Sequence, residues 1–515
     1  MSSPARFHTL PAGQEVQQSI MAPEWNTVFA PSVQFVRLLW CDAAGIRRCR
    51  VVPRRKLELA CKHGIGMAYA CMWLPAWGDR CIEDPAGVPV GEMRLAPDVT
   101  AARTLPWMPS HGMALVTMCE QHEPWDCCPR TALQRVVDKA QKDFSLTFQL
   151  GFELEFYLLR PHKQADGSGS GSGGNSGGSG SSRGGLPPPI DTSNYCHSGA
   201  LDAAAAVLGE MCATLSALGV VVEQLHPESG PGQFEIAMGP AAPQQAADSL
   251  LFAMEAVAAV ARKHGLLASF LPKLFKGAAA SGQHCHFSVW QAGTNLLQHE
   301  PRPAPAAAGM LPTPPRIFKL AGSSDPALPG LDPTGEAFLA GVLRHLPALM
   351  TFTSPSPNSF RRQAPHCWAG AYQCYGPHNR EAALRLCSNP GDLAAANAEL
   401  KAFDATCNPH LAAAAMIVAG LQGVREGLNL PPPVELDPGS LTDTQRRAAG
   451  IRQLPATLEE AIEAYDSDKG FQAALVDAFG TPTLPRAFMA VRRSEWQHLK
   501  GMTLEEEAEL LCARY

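Results

Sequence analysis

The sequence predicts an α+β protein with two or more domains. The chain of 515 residues is longer than a typical domain of about 50–250 residues, so more than one hydrophobic core is expected. Its hydrophobic content of 46% is that of a globular protein. Strand patterns rich in aromatic and branched residues occupy 33–53, 113–118 and 149–159. Amphipathic helical patterns occupy 129–144, 202–218 and 243–264. Separate runs of strand and helix of this kind are typical of the α+β class.

In the N-terminal part, the pattern predicts a small sheet domain. Residues 1–30 are expected to be an irregular arm. A hairpin is predicted over 33–53, a helix over 54–63 and a further strand over 113–118. This strand–turn–strand–helix order is compatible with a β-grasp domain, which we place at 31–122.

The strand at 149–159 follows the helix that Pro129 opens, and it carries two acids on one face. Residues two apart on a strand point the same way, so Glu153 and Glu155 share a face. Taken alone, the pair is compatible with a solvated sheet face. Other acids and histidines further along the chain favour a site instead.

These further groups lie in three short segments. Glu228 and Glu235 flank a Gly/Pro turn, His284 and His286 share one strand face, and Glu399 follows later. Five carboxylates and an imidazole suit two hard divalent cations, Mg²⁺ or Mn²⁺, better than zinc. Without a cation, two like charges ~4 Å apart repel by about 4 kcal/mol at an effective dielectric near 20.

Composition and charge exclude several classes of protein. The net charge of −6 argues against nucleic acid or an anionic membrane as the partner. The longest apolar run, 411–421, is too short to cross a bilayer and predicts a buried helix.

No signal-peptide pattern is present, which predicts a cytoplasmic location, with a plastid as the alternative. The 16 cysteines form no Cys-x-x-Cys pair and are expected to be free thiols, most of them buried.

Two stretches have the composition of insertions. Residues 166–185 are almost entirely Gly and Ser, and 301–315 are rich in Pro and Ala. Such segments cannot bury enough apolar surface to fold, so both are predicted to be disordered surface loops within a larger domain. Beyond residue 430 the pattern is mainly helical.

In order and spacing, the segments from 126 to 430 resemble the glutamine synthetase superfamily of ATP-dependent carboxylate–amine ligases. The resemblance includes 358–362 (Asn-Ser-Phe-Arg-Arg) and 379–385 (Asn-Arg-Glu-Ala-Ala-Leu-Arg). The sequences of residues 367–370 and 399–404 are most similar to those of the FluG-type branch. The resemblance implies a β-grasp domain followed by a catalytic domain, here 126–515, on a curved antiparallel sheet.

For the matching residues, the resemblance implies specific roles. One metal site corresponds to Glu155, Glu228 and Glu235, and the metal site at the nucleotide phosphates corresponds to Glu153, His284 and Glu399. ATP is expected against His286, Ser288, Arg380 and Arg385. The substrates are expected against Gly282, Arg362, Trp368 and Lys401, with Arg362 at the carboxylate of the acid. Arg362 and Arg380 are the candidate catalytic residues, because an arginine fork binds phosphate or carboxylate through paired hydrogen bonds.

Several positions depart from the housekeeping enzyme that these motifs resemble. Ala279 and Ala280 replace an Asn-Gly pair, and Lys401 replaces an arginine. The ammonium-site aspartate has no evident counterpart near 68–73, and Trp368 replaces the glutamate of the flap over ammonium. Metal and ATP chemistry are therefore expected to be intact, whereas the amine pocket is changed. Trp368 either lines a pocket for a larger amine or only packs the flap shut.

The activity implied by the resemblance is formation of a γ-glutamyl amide from glutamate, ATP and ammonia, with two Mg²⁺ or Mn²⁺ ions per site. An organic amine or polyamine in place of ammonia is one alternative, and a non-catalytic structural homologue is another. A homo-oligomeric ring of ten or twelve subunits is expected, with no nucleic acid and no membrane as partner.

Overall fold

This computed structural model describes residues 28–162, 185–299, 330–389 and 391–515. The predicted insertions lie outside the described residues, apart from Gly185, as does most of the predicted arm. The strands form two sheets in which antiparallel pairing dominates, and helices lie between and after them along the chain, so the α+β class is confirmed. The domain bounds at 31–122 and 126–515 stay predictions.

The first sheet lies in the N-terminal part and has the strand order β2-β1-β5-β4-β3, with β6 paired to β5. Its strands are β1 (Phe35–Cys41), β2 (Arg47–Pro53), β3 (Ile65–Ala68), β4 (Glu92–Thr104), β5 (His111–Glu120) and β6 (Glu123–Pro124). The predicted hairpin is confirmed as the antiparallel pair β1–β2. The predicted helix starts as a 3₁₀ turn, Arg54–Lys56, and becomes α1 only at Leu57–His63. Such a tight first turn is frequent at helix N-termini.

At the tip of the hairpin, the turn rests on a distant segment of the chain around Thr406. The buried Asp42 carboxylate accepts hydrogen bonds from the amides of Ala44 and Ile46 at 2.9 and 3.0 Å. Gly45 has a φ of +79°, and a Cβ there would lie 1.9 Å from the carbonyl oxygen of Thr406. Only glycine fits this turn against its neighbour.

The second sheet carries the candidate site and has the order β16-β13-β14-β15-β11-β7-β9-β8, with β10 on β7 and β12 on β11. Its strands are β7 (Leu146–Leu159), β8 (Val222–Pro227), β9 (Gln233–Met238), β10 (Leu267–Ser269), β11 (Cys285–Gln291), β12 (Thr294–Asn295), β13 (Tyr372–Pro377), β14 (Ala382–Asn389), β15 (Asp392–Leu400) and β16 (Arg452–Gln453). The strands pair antiparallel, as expected, except β13 and β14, which run parallel. The predicted strand at 149–159 is confirmed as β7, which lies between β11 and β9.

Helices cover this sheet and fill the C-terminal part. They are α2 (Pro129–Phe144), α3 (Ser198–Ala217), α4 (Pro243–Lys263), α5 (Pro333–Thr353), α6 (Pro357–Arg362), α7 (Pro409–Glu426), α8 (Asp443–Ala448), α9 (Leu458–Ser467), α10 (Lys469–Phe479), α11 (Thr483–Leu499) and α12 (Leu504–Leu511). The apolar run at 411–421 is confirmed as part of the buried helix α7. Pro129 opens α2, as its pattern predicted, because proline at the first helical position needs no hydrogen-bond partner.

The helix α3 is long and apolar enough to cross a membrane, since its most apolar window has a mean hydropathy of 1.3. Buried core helices of globular proteins have the same length and hydropathy. Its residues Ala204, Leu208 and Leu215 are buried within the fold. This buried face packs against α4 and β8.

Candidate active site

Strand register brings the acids of β7 and β9 together. Glu155 on β7 stands directly opposite Glu235 on β9, and Glu235 stands opposite His226 on β8. Residues opposite each other in neighbouring strands project on the same face about 5 Å apart. His226 Nε2 lies 3.1 Å from Glu228 Oε1, and its Nδ1 lies 3.9 Å from Glu235 Oε1. We call His226, Glu228 and Glu235 the β9 group; their ligand atoms lie within 4.8 Å of one another.

A second group forms by the same register on the other side of β7. His286 on β11 stands opposite Glu399 on β15, and Glu399 stands opposite Arg385 on β14. His286 Nε2 lies 3.0 Å from Glu153 Oε1, and His286 Nδ1 lies 2.8 Å from Asn397 Oδ1. We call Glu153, His286 and Glu399 the β11 group; its ligand atoms also lie within 4.8 Å of one another.

Between the two groups lie His284 and Glu155. His284 Nδ1 is 2.9 Å from Glu153 Oε2 and 3.2 Å from Glu399 Oε1, while its Nε2 is 3.9 Å from Glu155 Oε1. The Gln233 amide donates to Glu155 Oε2 at 3.1 Å. The two groups therefore join into one continuous polar floor.

At the centre of this floor, Gly282 leaves room for three side chains. A Cβ at Gly282 would lie 2.7 Å from His284 Nε2, 2.8 Å from Arg362 Nη2 and 2.9 Å from Glu155 Oε1. Arg362 Nη2 donates to His284 Nε2 at 2.8 Å and to the carbonyl oxygen of Lys401 at 2.9 Å. Any side chain at Gly282 would separate these groups.

The charges of the floor are unevenly balanced. Burial, followed by repulsion from Glu228, raises the pKa of Glu155 to about 8. Burial and the carboxylates of Glu153, Glu155, Glu228 and Glu399 raise the pKa of Glu235 to about 10. Burial acts in the same direction at Glu399, but the charges of Lys401, His284, His286 and Arg385 together outweigh it and lower that pKa to about 2. Crowding therefore favours the protonated form of Glu155 and Glu235, although Arg362 opposes this at Glu155, whereas protein cations neutralise Glu399 on the β11 side.

This donor set fits divalent cations. Each group offers two glutamates and one histidine, and oxygen-rich donor sets of this kind suit Mg²⁺ or Mn²⁺. The pKa values of Glu155 and Glu235 are raised because these buried carboxylates lie among other carboxylates, whose charge a bound divalent cation would neutralise. The compact groups contain His226 and His286, where the resemblance implied Glu155 and His284.

At the mouth of the site stands Trp368. Its side chain is 49% exposed, and its backbone has a φ of +52°, a conformation that is uncommon outside glycine. The Trp368 ring meets the Tyr195 ring edge-on with 6.2 Å between centroids, and Tyr195 meets the His226 ring in the same manner at 5.6 Å. The Arg380 guanidinium lies 5.7 Å from the Trp368 ring centroid. A row of aromatic rings thus leads from solvent to the β9 group.

Two of the sequence-predicted residues make their described contacts elsewhere. The Ser288 hydroxyl, on the same strand face as His286, accepts from the Trp290 indole at 2.8 Å. Arg380 stacks on Trp368 and forms no described ion pair with either group. Lys401 lies at the floor, but its ammonium donates to Glu399 and does not point into the open site.

Sequence reasoning missed four residues of the site: His226, Gln233, Asn397 and Tyr195. A signal existed for His226, since it lies two residues before Glu228 at the end of a strand and therefore shares its face. Asn397 lies two before Glu399 on β15 in the same way. Tyr195 lies in a loop, and nothing in the local sequence connects it with Trp368.

Comparison with known proteins decides the family. The profile described as "Glutamine synthetase, catalytic domain" matches residues 126–310 and 321–511. The chain belongs to the glutamine synthetase family. It is similar to the "Gamma-glutamylpolyamine synthetase GlnA3" of Streptomyces coelicolor, at 35% identity over 91% of each chain. It is also similar to "Protein fluG" of Emericella nidulans, at 27% identity over 94% of this chain and 49% of that protein.

Among solved structures, a "novel glutamine synthase homolog" superposes with a TM-score of 0.73 at 30% identity, over 94% of this chain and 99% of the other. The predicted family is therefore confirmed, and so is the glutamine synthetase fold. The chain is a ligase of a family that generally depends on ATP and divalent metal ions.

Proposed function

We propose that this glutamine synthetase family member couples glutamate to an organic primary amine, rather than to ammonia, at the expense of ATP. The observation that carries the proposal is the half-exposed Trp368 at the mouth, packed edge-on against Tyr195. A side chain that only packed a flap shut would be buried. The similarity to a protein named gamma-glutamylpolyamine synthetase supports the same conclusion.

The proposed reaction has two steps. A γ-carboxylate oxygen of glutamate attacks the γ-phosphorus of ATP, the bond to the bridging oxygen breaks, and ADP leaves. The amine nitrogen then attacks the γ-carbonyl carbon of the γ-glutamyl phosphate, phosphate leaves, and the nitrogen gives up a proton. Bound divalent cations would neutralise the phosphate charge that builds up in the first step.

For this chain, the residues divide between the two ends of the reaction. We assign cation binding to the β9 and β11 groups with Glu155 and His284, and carboxylate binding to Arg362, whose buried guanidinium lies at their centre. We assign the phosphates to Arg385 and Arg380. At the mouth, the indole of Trp368 has only an N–H donor and cannot act as a base. Its face can bind a cationic amine, worth ~0.5–2 kcal/mol, and cover a carbon chain.

A panel assay tests the proposal. ADP release and the mass of the amide product are measured with glutamate, Mg²⁺ or Mn²⁺, and ammonia, monoamines, diamines or polyamines. The kcat/KM of the best organic amine should exceed that of ammonia. Trp368→Glu should lower the ratio of the two by about 3- to 30-fold, whereas the matched control Trp368→Phe should keep it.

Three outcomes would contradict the proposal. Higher efficiency with ammonia than with any amine would leave plain glutamine synthesis. An unchanged ratio in Trp368→Glu would limit the indole to packing. No ADP release under any condition would favour a non-catalytic homologue.

The ring of ten or twelve subunits and the cytoplasmic location remain proposals that rest on the resemblance alone. Light scattering on the purified chain would measure the mass of the assembly. A mass below ten subunits at assay concentration would contradict the ring.

A further inference from the structure

Glu381 is a partly buried acid beside Trp368 at the mouth of the site. It comes directly before β14, and its backbone amide donates to Asn379 Oδ1 at 3.0 Å. The Asn379 side chain in turn donates to the carbonyl oxygens of Val434 and Leu436 at 2.8 and 2.9 Å. The backbone from which the Glu381 side chain projects is therefore held in place by a distant segment of the chain.

Strand alternation places Glu381 on the face of the sheet that carries the floor. Side chains two and four apart along a strand share a face, so Glu381 is in phase with Arg385 of β14. Arg385 pairs with Glu399 on the floor, directly across the ladder. Leu384, which is out of phase with Glu381, lies in the hydrophobic core on the other face.

The two carboxylate oxygens of Glu381 have different surroundings. Oε1 accepts a hydrogen bond from the backbone amide of Trp368 at 3.1 Å. Oε2 forms no hydrogen bond or ion pair with any residue in the described part of the chain. One oxygen therefore holds the loop that carries the indole, and the other can accept from a bound molecule.

The other charged groups around the mouth are already engaged. The Asp437 carboxylate pairs with His366 Nδ1 at 2.7 Å. The Arg380 guanidinium lies 5.7 Å from the Trp368 ring centroid, and its positive charge repels a second cation at that ring. A cationic ligand that reaches the mouth therefore needs an anion beside the indole, and a carboxylate with a free oxygen forms a charge-assisted hydrogen bond with an ammonium group.

We propose that Glu381 binds the second, non-reacting ammonium group of a diamine or polyamine and so determines which amines the protein selects. The inference rests on the organic-amine activity proposed above and narrows it to amines with two or more nitrogen atoms. Trp368 covers the carbon chain of such an amine, while Glu381 Oε2 accepts from the distal ammonium. A monoamine of the same length places a methyl group there and leaves the carboxylate without a partner.

Two amines of equal size test the inference. 1,4-Diaminobutane and 1-aminopentane have the same number of non-hydrogen atoms and differ in whether the far end is an ammonium or a methyl group. The kcat/KM of each is measured on the full chain with ATP, glutamate and Mg²⁺, from ADP release and the mass of the product. Wild type should favour the diamine by at least about tenfold, and Glu381→Gln should lower this ratio by about 5- to 30-fold.

The variants separate the charge of Glu381 from its contact with the loop. Glutamine keeps an oxygen that can accept from the Trp368 amide, so Glu381→Gln removes only the charge. Glu381→Asp keeps the charge and should keep the ratio within about threefold of wild type. The matched control is Glu460→Gln on α9, because Glu460 Oε2 likewise accepts from a backbone amide, that of Ala456 at 2.8 Å, and this variant should leave the ratio unchanged.

A second measurement on wild type alone does not depend on whether any variant folds. Raising the ionic strength from about 0.1 M to about 1 M shortens the screening length from ~10 Å to ~3 Å. The ratio of kcat/KM for the diamine to that for the monoamine should then fall at least about twofold. The reacting nitrogen is the same in both amines, so its own salt dependence cancels in the ratio.

The outcomes distinguish this inference from the organic-amine proposal. A ratio near one in wild type, a ratio that salt does not change, or an unchanged ratio in folded Glu381→Gln would overturn the role of Glu381 and leave organic-amine coupling standing. Use of ammonia with no coupling of either amine would overturn the organic-amine proposal, and this inference with it.

Discussion

In the metal-free protein, we expect Glu155→Gln to increase stability, although it removes a candidate metal ligand. Burial and the nearby Glu228 raise the pKa of Glu155 from its ordinary value of 4.5 to about 8. The folded chain therefore binds one more proton than the unfolded chain between these two values. Stability falls as pH rises through this window, and the loss is complete above about pH 8.

The size of the effect follows from the shift in pKa. At 1.36 kcal/mol per pKa unit, ionisation of Glu155 lowers the free energy of unfolding by up to about 5 kcal/mol. For a chain of 515 residues, this corresponds to a melting temperature lower by roughly 4 °C. Glutamine carries no charge, and its oxygen can still accept from the Gln233 amide that binds Glu155 at 3.1 Å.

The assay is thermal unfolding after chelation, across pH 5 to 9. Glu155→Gln should melt close to wild type near pH 5 and about 4 °C higher at pH 8 to 9. Saturating Mn²⁺ should reverse the order, because ions bound to the folded state stabilise wild type more than the variant. The control Glu58→Gln affects an acid that is 75% exposed and paired with Lys62, and should change stability by less than about 0.5 kcal/mol at any pH. A metal-free Glu155→Gln protein that melts below wild type at pH 8 would refute the argument from crowded charge.

Two further predictions follow from the site and its surroundings. His284→Ala should abolish metal-dependent ADP formation while the fold persists, because it removes the imidazole 2.9 Å from Glu153. The control His264→Ala affects an exposed histidine paired with Glu210 and should keep full activity. Normal turnover of His284→Ala under controlled metal would contradict the assignment. Deletion of 167–184 should change the melting temperature by less than about 1 °C and activity by less than about twofold. The reason is that His162 Nε2 lies 2.6 Å from the carbonyl oxygen of Gly185, so a short loop can join the ends. Loss of assembly would indicate an ordered partner for this segment.

Local pattern was sufficient where local forces decide the structure. The helix Pro129–Phe144 matches its prediction at both ends, because a proline at its start and a left-handed residue at its end are fixed by local backbone preferences. Period-two alternation also gave β7, and with it the shared face of Glu153 and Glu155. Local pattern alone fails at Glu399, which by itself is more typical of an exposed helix than of the buried strand where it lies.

Contacts between distant segments could not be predicted from the sequence. The resemblance placed Lys401 at the substrate. Its ammonium instead donates to Glu399, and both residues are buried, which the sequence alone does not indicate. The contact between Tyr195 and Trp368 joins two loops more than a hundred residues apart. Since both are loop residues, no periodicity connects them.

This division between strands and loops explains how one family can vary its amine while its ATP chemistry stays the same. The acids and histidines of the floor lie on or beside strands, and a slip of one residue in β11 would turn His284 and His286 to the opposite face and separate them from Glu153. Trp368 and Tyr195 lie in loops, where a substitution changes the mouth without shifting any strand register. Lys401 is the intermediate case: it lies one residue beyond β15, close enough to touch Glu399 but outside the hydrogen-bonded ladder. A change there alters the charge that faces Glu399 without disturbing the strand that carries this acid, whereas a slip within β15 itself would turn Glu399 to the opposite face.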